Sequence, residues 1–354
     1  MPSKIVHIIN NEKFINSFIE LINANFDTQD HLFINISNYK ANEFPLPKLA
    51  NVIEFEQDLN LTRNFFLLWK KVTPYLIKAD KIIVHGAFTG NFNKYLFLKP
   101  KLLAKSYWVM WGGDLYQPLM KQAKTLKQNI HFAIDKYIKG RFAGYVTYLP
   151  GDYKVAQELY NAKTAYFECI MYPSNLYKEL TLPNVHTDNK FILVGNSGDP
   201  TNNHQSVFET LSKLEDQSFS IICPLSYGNK SYIEQVKTVG KSMFSSRFIP
   251  LTNFITLDEY MKILAKVDIA IFAHNRQQAM GNIISLLGLG KKLYMRNDIT
   301  PFDLFNSLRV KVFDIQNIKL ESISIKDATH NIKKIEDYFC EAKLIQQLKV
   351  IFEG

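Results

Sequence analysis

The stretch Lys190-Phe-Ile-Leu-Val-Gly-Asn-Ser-Gly-Asp-Pro-Thr-Asn-Asn-His204 joins the residue types that hold a phosphate. Phe191 to Val194 read as a short buried strand, and Gly195-Asn196-Ser197-Gly198-Asp199 end it in a glycine-rich turn. Pro200 and Thr201 then open a helix, with Asp199 or Thr201 as its cap. Free backbone N–H groups at such a junction, together with the helix dipole, attract negative charge. The stretch reads as the first βα unit of a second domain and as the seat of a nucleotide-linked diphosphate. The same residues also suit a βα connection that binds nothing, because a short glycine turn is a weak signal.

Two further loops carry polar groups of the right kind. Ile269 to Phe272 form a buried strand that gives way to Arg276-Gln277-Gln278, and Gly281-Asn282 begin an apolar helix. A guanidinium pairs with phosphate oxygens in a forked geometry. The three amides suit a sugar or phosphate, and a second helix end would clamp a diphosphate from the other side. A solvated loop arginine is the plain alternative. Cys223 to Tyr232 also follow a strand. There Tyr227 is placed to stack on a base or ribose and Lys230 to reach phosphate, or both simply form a turn.

Trp111-Gly112-Gly113-Asp114 end a strand in the first half, and the glycines allow close approach of a ligand or another segment. Asp114 is a candidate general base for a hydroxyl, or else the N-cap of the helix that follows. His85, before Gly86, is the other candidate base, with a structural histidine as its alternative. No Asp-x-Asp occurs in the chain, so no metal is expected and helix ends and cations must meet leaving-group charge.

Strands that alternate with helices position these residues. The first half predicts strands at 4–9, 31–36, 81–84, 107–111, 144–148 and 165–171. Its helices fall at 12–25, 61–77, 92–103 (interrupted at Pro100), 116–139 and 151–161. Residues 40–60 read as mixed loop, and 173–189 as a linker. Alternation resumes with strands near 191–194, 219–223, 247–250, 268–272, 292–295 and 310–313. Helices lie near 202–214, 230–243, 257–265, 281–288 and 301–306, and 325–351 form one or two more. The pattern predicts an α/β protein with two parallel-sheet, Rossmann-like domains: 1–180, 190–325, and terminal helices 326–354 placed to pack back across them. Ligands in such sheets sit at the carboxyl ends of strands, so the candidates imply an active site in a cleft between the domains.

The 354 residues are 47% hydrophobic and 21% charged, which excludes a disordered chain. The net charge of +9 favours an acidic partner. Cys169, Cys223 and Cys340 are too far apart for a zinc site or disulfide framework. Absence of a signal peptide or a membrane-length apolar run predicts a cytoplasmic location. Between 120 and 142, Lys121, Lys124, Lys127, Lys136, Lys139 and Arg141 face one acid, Asp135, beside apolar residues such as Leu126 and Ile130. A basic amphipathic helix of this kind lies on an anionic membrane surface, or packs on a core with a solvated basic face. No nucleic-acid module is present, so nucleic acid is not an expected partner.

Trp111-Gly-Gly-Asp-Leu-Tyr116, Ile192 to Asp199 with Asn203-His204, Pro224 to Gly228 with Tyr232-Ile-Glu234, and Arg276-Gln-Gln278 with Gly281 together resemble glycosyltransferase family 56. The family is that of the 4-alpha-L-fucosyltransferases, and the resemblance runs from about 80 to 300. It implies a GT-B architecture, with two Rossmann-like domains facing a cleft and the donor on the second. His204 joins the implied donor residues. It also implies transfer of 4-acetamido-4,6-dideoxygalactose from a dTDP-sugar to an undecaprenyl-diphosphate-linked saccharide at the cytoplasmic face of the inner membrane, as in enterobacterial common antigen synthesis. No cofactor besides the nucleotide-sugar donor is implied. Departures from the family pattern after His85 and around Ala273-His274-Asn275 leave room for an O-antigen or capsule pathway with another dTDP- or UDP-sugar. The rival readings are a sugar-nucleotide epimerase of the same fold and a non-catalytic binding or scaffold protein.

Overall fold

The computed structural model describes residues 4–37, 41–55, 65–88, 90–120, 125–179 and 189–354. The chain divides into two compact units, 1–175 with 341–354, and 176–340.

In the first unit, seven parallel strands alternate with helices: β1 (Ile5–Ile9), α1 (Ile15–Asn25), β2 (His31–Asn35), β3 (Val52–Glu54), α2 (Phe65–Lys78), β4 (Lys81–His85), α3 (Asn91–Phe97), α4 (Pro100–Leu103), β5 (Ser106–Val109), α5 (Gln117–Met120), α6 (Leu126–Lys139), β6 (Gly144–Val146), α7 (Pro150–Tyr160) and β7 (Ala165–Phe167). The sheet order is β3-β2-β1-β4-β5-β6-β7. β1 pairs with β2 at Ile5–His31 and with β4 at Ile5–Lys81. Central strands covered on both faces read as near-continuous apolar runs, and Ile5 to Ile9 are buried at every position, with His7 the one polar residue among them.

The second unit holds β8 (Lys190–Val194), α8 (His204–Ser212), β9 (Phe219–Pro224), α9 (Lys230–Phe244), β10 (Phe248–Leu251), α10 (Leu257–Lys266), β11 (Ile269–Phe272), α11 (Met280–Gly288), β12 (Lys292–Met295), α12 (Thr300–Ser307), β13 (Phe313–Asp314) and α13 (Ile325–Tyr338). Its sheet order is β10-β9-β8-β11-β12-β13, all parallel. The last helix, α14 (Glu341–Glu353), belongs to the first unit. Gln347 Oε1 accepts from the Ile170 N–H at 2.9 Å, and Lys81 Nζ donates to the Ile351 carbonyl at 2.9 Å.

In the first unit, two elements differ in kind from expectation. β3 lies where the sequence reads as loop, because two half-buried residues and an exposed one give too short a pattern. The helix expected over 116–139 is two helices. Thr125 caps α6, accepting from the Gln128 N–H while Gln128 reaches back to the Thr125 N–H. That capping box is a start signal in the sequence itself. Lys121, Lys124 and the opening of the 61–77 helix lie outside the described residues.

One face of α6 carries a buried ion pair, Lys139 Nζ to Asp135 Oδ2 at 2.7 Å. Lys139 also donates to the Asp114 carbonyl at 2.7 Å, and Asn93 Nδ2 donates to Asp135 Oδ1 at 2.6 Å. Burial pushes the Asp135 carboxyl up, against the pull of the Lys139 ammonium. The pair therefore ties α6 to α3 and to the loop after β5. Removing one partner strands the other charge in the interior. Asp135→Ala should cost about 3–5 kcal/mol of stability in urea unfolding followed by circular dichroism.

Candidate functional site

In each sheet the strand order reverses at the first strand. The connections leaving β8 and β11 therefore diverge, as do those leaving β1 and β4, and a crevice opens at their carboxyl ends. The polar segments after β8, β9 and β11 meet at the crevice of the second unit. Asn196 Nδ2 donates to Tyr227 OH at 3.1 Å, and Asn196 Oδ1 accepts from Gln278 Nε2 at 3.2 Å. Gln278 Oε1 accepts from the Thr201 hydroxyl at 2.8 Å. The Gly198 N–H donates to the Tyr227 carbonyl at 2.8 Å, and the Asn229 N–H donates to the Gly198 carbonyl at 2.9 Å. Glycine is required at this crossing: a Cβ on Gly228, at φ +128°, would lie 2.5 Å from the Gly198 carbonyl carbon.

The glycine turn is not the array of free amides that the sequence suggests. The Gly195 N–H donates to the Ile271 carbonyl at 3.0 Å, and the Asn196 N–H to Asn202 Oδ1 at 2.9 Å. With Gly198 these donors fasten neighbouring loops. Nor does a helix open at Pro200. The Asp199 carboxylate takes both the N–H and the hydroxyl of Thr201, which closes a 3₁₀ turn at Pro200–Asn202. Asn203 then adopts φ +51°, and α8 starts at His204. Ser197 is buried against Asn202, whose Nδ2 lies 3.4 Å from its hydroxyl.

His204 is fully buried. Its Nδ1 lies 3.2 Å from Tyr232 OH, and its Nε2 has no partner. Arg276 donates from Nη1 to the Gln277 carbonyl at 3.0 Å, while its buried Nε has no partner. Gln277 is half-buried beside it, and Gly281 is the second residue of α11. Ala279 precedes that helix at φ +58° and offers no side-chain cap. The first-turn amides of α11 therefore lack a capping side chain. Asn282 is committed elsewhere, donating to Tyr260 OH at 3.0 Å. Lys230 is exposed at the first position of α9, where a cation opposes the helix dipole unless an anion joins it. Tyr227 keeps about half of its surface exposed (52%).

The first unit holds a cavity of about 360 Å³ at the carboxyl ends of β1 and β4. Ile8 and Val84 contribute apolar wall. Asn10, Glu12, Ser37 and Asn91 supply polar groups, and Phe88 and Trp111 supply aromatic faces. The two aromatic rings meet edge to face at 5.7 Å. Gly86 makes room for both, because at φ +81° a Cβ there would lie 2.8 Å from the Phe88 ring and 3.0 Å from Trp111. Asn10 and Glu12 escape the sequence reading, although a polar run directly after the first strand is its available signal.

Asp114 and His85 are structural groups, which corrects their reading as bases. Asp114 is completely buried. Its Oδ2 accepts from the Ala87 N–H at 2.8 Å and from Trp108 Nε1 at 2.6 Å. Its Oδ1 accepts from the Trp111 and Leu115 N–H groups at 2.9 and 3.0 Å. A carboxylate that takes four donors has no oxygen free for a substrate proton, and these bonds also exclude it as the cap of the following helix. His85 is buried in a chain of rings. Trp111 Nε1 donates to Tyr172 OH at 2.7 Å, Tyr172 OH lies 2.6 Å from His85 Nδ1, and His85 Nε2 lies 3.1 Å from His7 Nδ1. His7 Nε2 in turn lies 3.0 Å from His31 Nδ1. An indole N–H only donates, so Tyr172 OH accepts from Trp111, and a Tyr172 hydroxyl that donates in turn to His85 Nδ1 gives a chain with the proton of each histidine on Nε2. Burial pushes His85 down to about 3 and His31 to about 4, and holds His7 well below the usual range.

The fold is GT-B, and the comparisons with known proteins define the class. The family model described as 4-alpha-L-fucosyltransferase glycosyl transferase group 56 matches residues 3–339. The chain belongs to that family and is a glycosyltransferase. Its fold is shared with sucrose-phosphate synthase from Thermosynechococcus elongatus, at 8% identity and TM-score 0.66, over 99% of this chain and 98% of that one. It is shared with HepE from Anabaena, solved in complex with UDP and glucose, at 12% identity and TM-score 0.66, over 99% of both chains. It is shared also with WaaG, a glycosyltransferase involved in lipopolysaccharide biosynthesis, at 10% identity and TM-score 0.61, over 99% of this chain and 100% of that one.

The buried histidines set a pH limit. Burial also lowers His204 to about 4 and His274 to about 3. Unfolded histidine binds its proton near pH 6.5, whereas these folded rings stay neutral down to about 3–4. The unfolded state therefore gains protons first as pH falls. Stability should be level above about pH 7 and fall below about 6.5, by up to about 1.4 kcal/mol per pH unit for each such histidine. Thermal unfolding across pH 4.5–8 checks this, and His85→Asn should make the acid decline shallower.

Proposed function

We propose that this glycosyltransferase seats the diphosphate of a dTDP-sugar at the β8–β11 crevice and a polyprenyl-diphosphate-linked saccharide in the cavity beside β1. The observation that carries the donor assignment is the meeting of three loops beside an uncapped helix end and an arginine whose buried Nε lacks a partner. Arg276, the first-turn amides of α11 and Lys230 supply the positive charge that a leaving diphosphate requires. Tyr227 offers a face for the base or ribose. Among the described residues, no group of three or more His, Cys, Asp or Glu is placed to hold a metal ion. The proposed reaction relies on these cations and amides to meet the leaving-group charge. The sugar is 4-acetamido-4,6-dideoxygalactose if the dTDP reading holds, and HepE's complex with UDP makes UDP the competing nucleotide.

Thermal-shift titration with dTDP, UDP, GDP and CMP, without metal and then with Mg²⁺, tests the donor. The expected result is stabilisation by dTDP without metal. Arg276→Gln should weaken that binding about 10- to 100-fold, the worth of a charge-assisted hydrogen bond. A preference for UDP would move the pathway to another surface polysaccharide. No response to any nucleotide would overturn the donor site.

The acceptor reading implies a membrane surface, and α6 offers one. Leu126, Ile130 and Tyr137 lie at helical spacing and are 77%, 52% and 39% exposed. Phe97 of α3 packs its ring 5.2 Å from Tyr137 and is itself 39% exposed. Lys127 and Lys136 are exposed on the same helix, whereas Lys139 is spent on its buried ion pair. This arrangement favours an anionic bilayer over a merely solvated basic face. Among the described residues no helix is long and apolar enough to cross a membrane. Sedimentation with phosphatidylglycerol vesicles should show binding that falls at least tenfold in a Leu126→Ser, Ile130→Ser variant. Unchanged binding would remove α6 from the membrane contact.

A further inference from the structure

We infer that Asn202 and Asn203 are positioning residues for the donor: together they hold the Arg276 segment at the crevice without touching substrate. The inference rests on the donor reading above. Arg276 is bonded within its own segment, since Nη1 donates to the Gln277 carbonyl at 3.0 Å and the buried Nε has no partner. Its place is therefore set by the backbone that carries it, from Ala273 to Gln278. A guanidinium fork meets a diphosphate well only where it is aimed, so slack in that span would cost affinity.

Asn202 is completely buried and closes the 3₁₀ turn after Asp199. Its Oδ1 accepts from the Asn196 N–H and lies 2.9 Å from His274 Nε2. Its Nδ2 donates to the Asp199 carbonyl at 3.0 Å. A backbone N–H only donates and a carbonyl only accepts, so these two partners fix the orientation of the amide. His274 Nε2 is then the donor to Oδ1. That ring is buried two residues before Arg276, and one amide ties it to the glycine turn.

Asn203 grips the same segment by its backbone. Its Nδ2 donates to the Ala273 carbonyl and to Asn275 Oδ1, both at 2.7 Å. The Asn275 N–H returns a bond to the Thr201 carbonyl at 3.3 Å, and the Thr201 hydroxyl reaches Gln278 Oε1 at 2.8 Å. Ala273, His274, Asn275 and Gln278 are thus all anchored to residues 201–203, and Arg276 lies inside that span. Asn203 does this from φ +51°, a left-handed conformation that asparagine tolerates better than most residues.

The test is a double-mutant cycle on dTDP affinity, read by thermal-shift titration. Glycine is at ease at a positive φ, so Asn203→Gly removes the side chain without straining the backbone. Asn202→Ala is the parallel variant, and it leaves the Asn196 and His274 N–H groups buried without an acceptor. Unfolding without nucleotide establishes that each folds, and Asn203→Gly carries the test if Asn202→Ala does not. Asn203→Gly should weaken dTDP binding roughly 3- to 30-fold. In that background Arg276→Gln should cost at least about threefold less than in wild-type protein, although Asn203 makes no bond to Arg276. With a dTDP-sugar and a polyprenyl-diphosphate-linked saccharide, the donor KM should rise while the acceptor KM stays within about twofold. The same loss from Arg276→Gln in both backgrounds would sink the positioning role and leave the donor site standing. So would wild-type dTDP affinity in Asn203→Gly, or an equal rise in both KM values. Wild-type protein that responds to no nucleotide, or Arg276→Gln without effect on it, would overturn the donor reading itself.

Discussion

Parallel strand pairing imposes the geometry on which the rest of this protein depends. A parallel pair cannot be closed by a tight turn, so each strand is followed by a crossover that covers one face of the sheet. Where the order reverses, between β1 and β4 and again between β8 and β11, adjacent crossovers leave toward opposite faces. The polar groups at those strand ends are the ones that neither the sheet nor its covering helices can consume. The polar loops after β8, β9 and β11 and the cavity beside β1 are thus consequences of strand order, and particular side chains only decide what chemistry each crevice supports.

The two crevices are furnished differently. In the second unit, amides and backbone are used mainly to stiffen loops: Asn196, Asn202 and Gln278 bond to one another's segments. What remains unspent is positive or donating, at Arg276 and at the start of α11. In the first unit the opposite holds. Asp114 and the histidine chain consume their own polarity in fixing Trp111 and the loop after β4, which leaves the aromatic faces of Phe88 and Trp111 on the cavity wall. A nucleoside diphosphate suits the former set and an uncharged saccharide the latter.

Much of the architecture was legible from residue pattern, because buried parallel strands are nearly pure apolar runs: Ile5 to Ile9, Lys81 to Val84 and Ile269 to Phe272 stand out against their surroundings. β3 was not, since two half-buried residues and an exposed one carry no such contrast. For the site, residue type was a poor guide to availability. Asp114 and His85 have the chemistry of bases, yet hydrogen bonds consume it: those on His85 come from Tyr172 and His7, far away in sequence, and those on Asp114 come from Ala87 and from the indole and backbone N–H groups of its own loop, none of which the sequence alone displays. The cavity itself leaves no local trace for the converse reason, because its walls come from several separate segments. The turn after Val194 was located correctly but misread in detail, because Asp199 closes a local turn before a helix can begin.

The placement of α14 gives the chain an order of completion. Residues 176–340 form a whole unit that interrupts another, and the interrupted unit recovers its last helix only at 341–354. The second unit is therefore translated in full before the segment whose Phe352 ring packs 4.7 Å from His31 and 5.1 Å from Phe26. The innermost histidine, His7, also meets that ring edge-on at 5.7 Å. Until the final turn of α14 is made, the end of the histidine chain therefore stands open to water. The part of the protein translated first is consequently completed by a helix translated after the whole second unit.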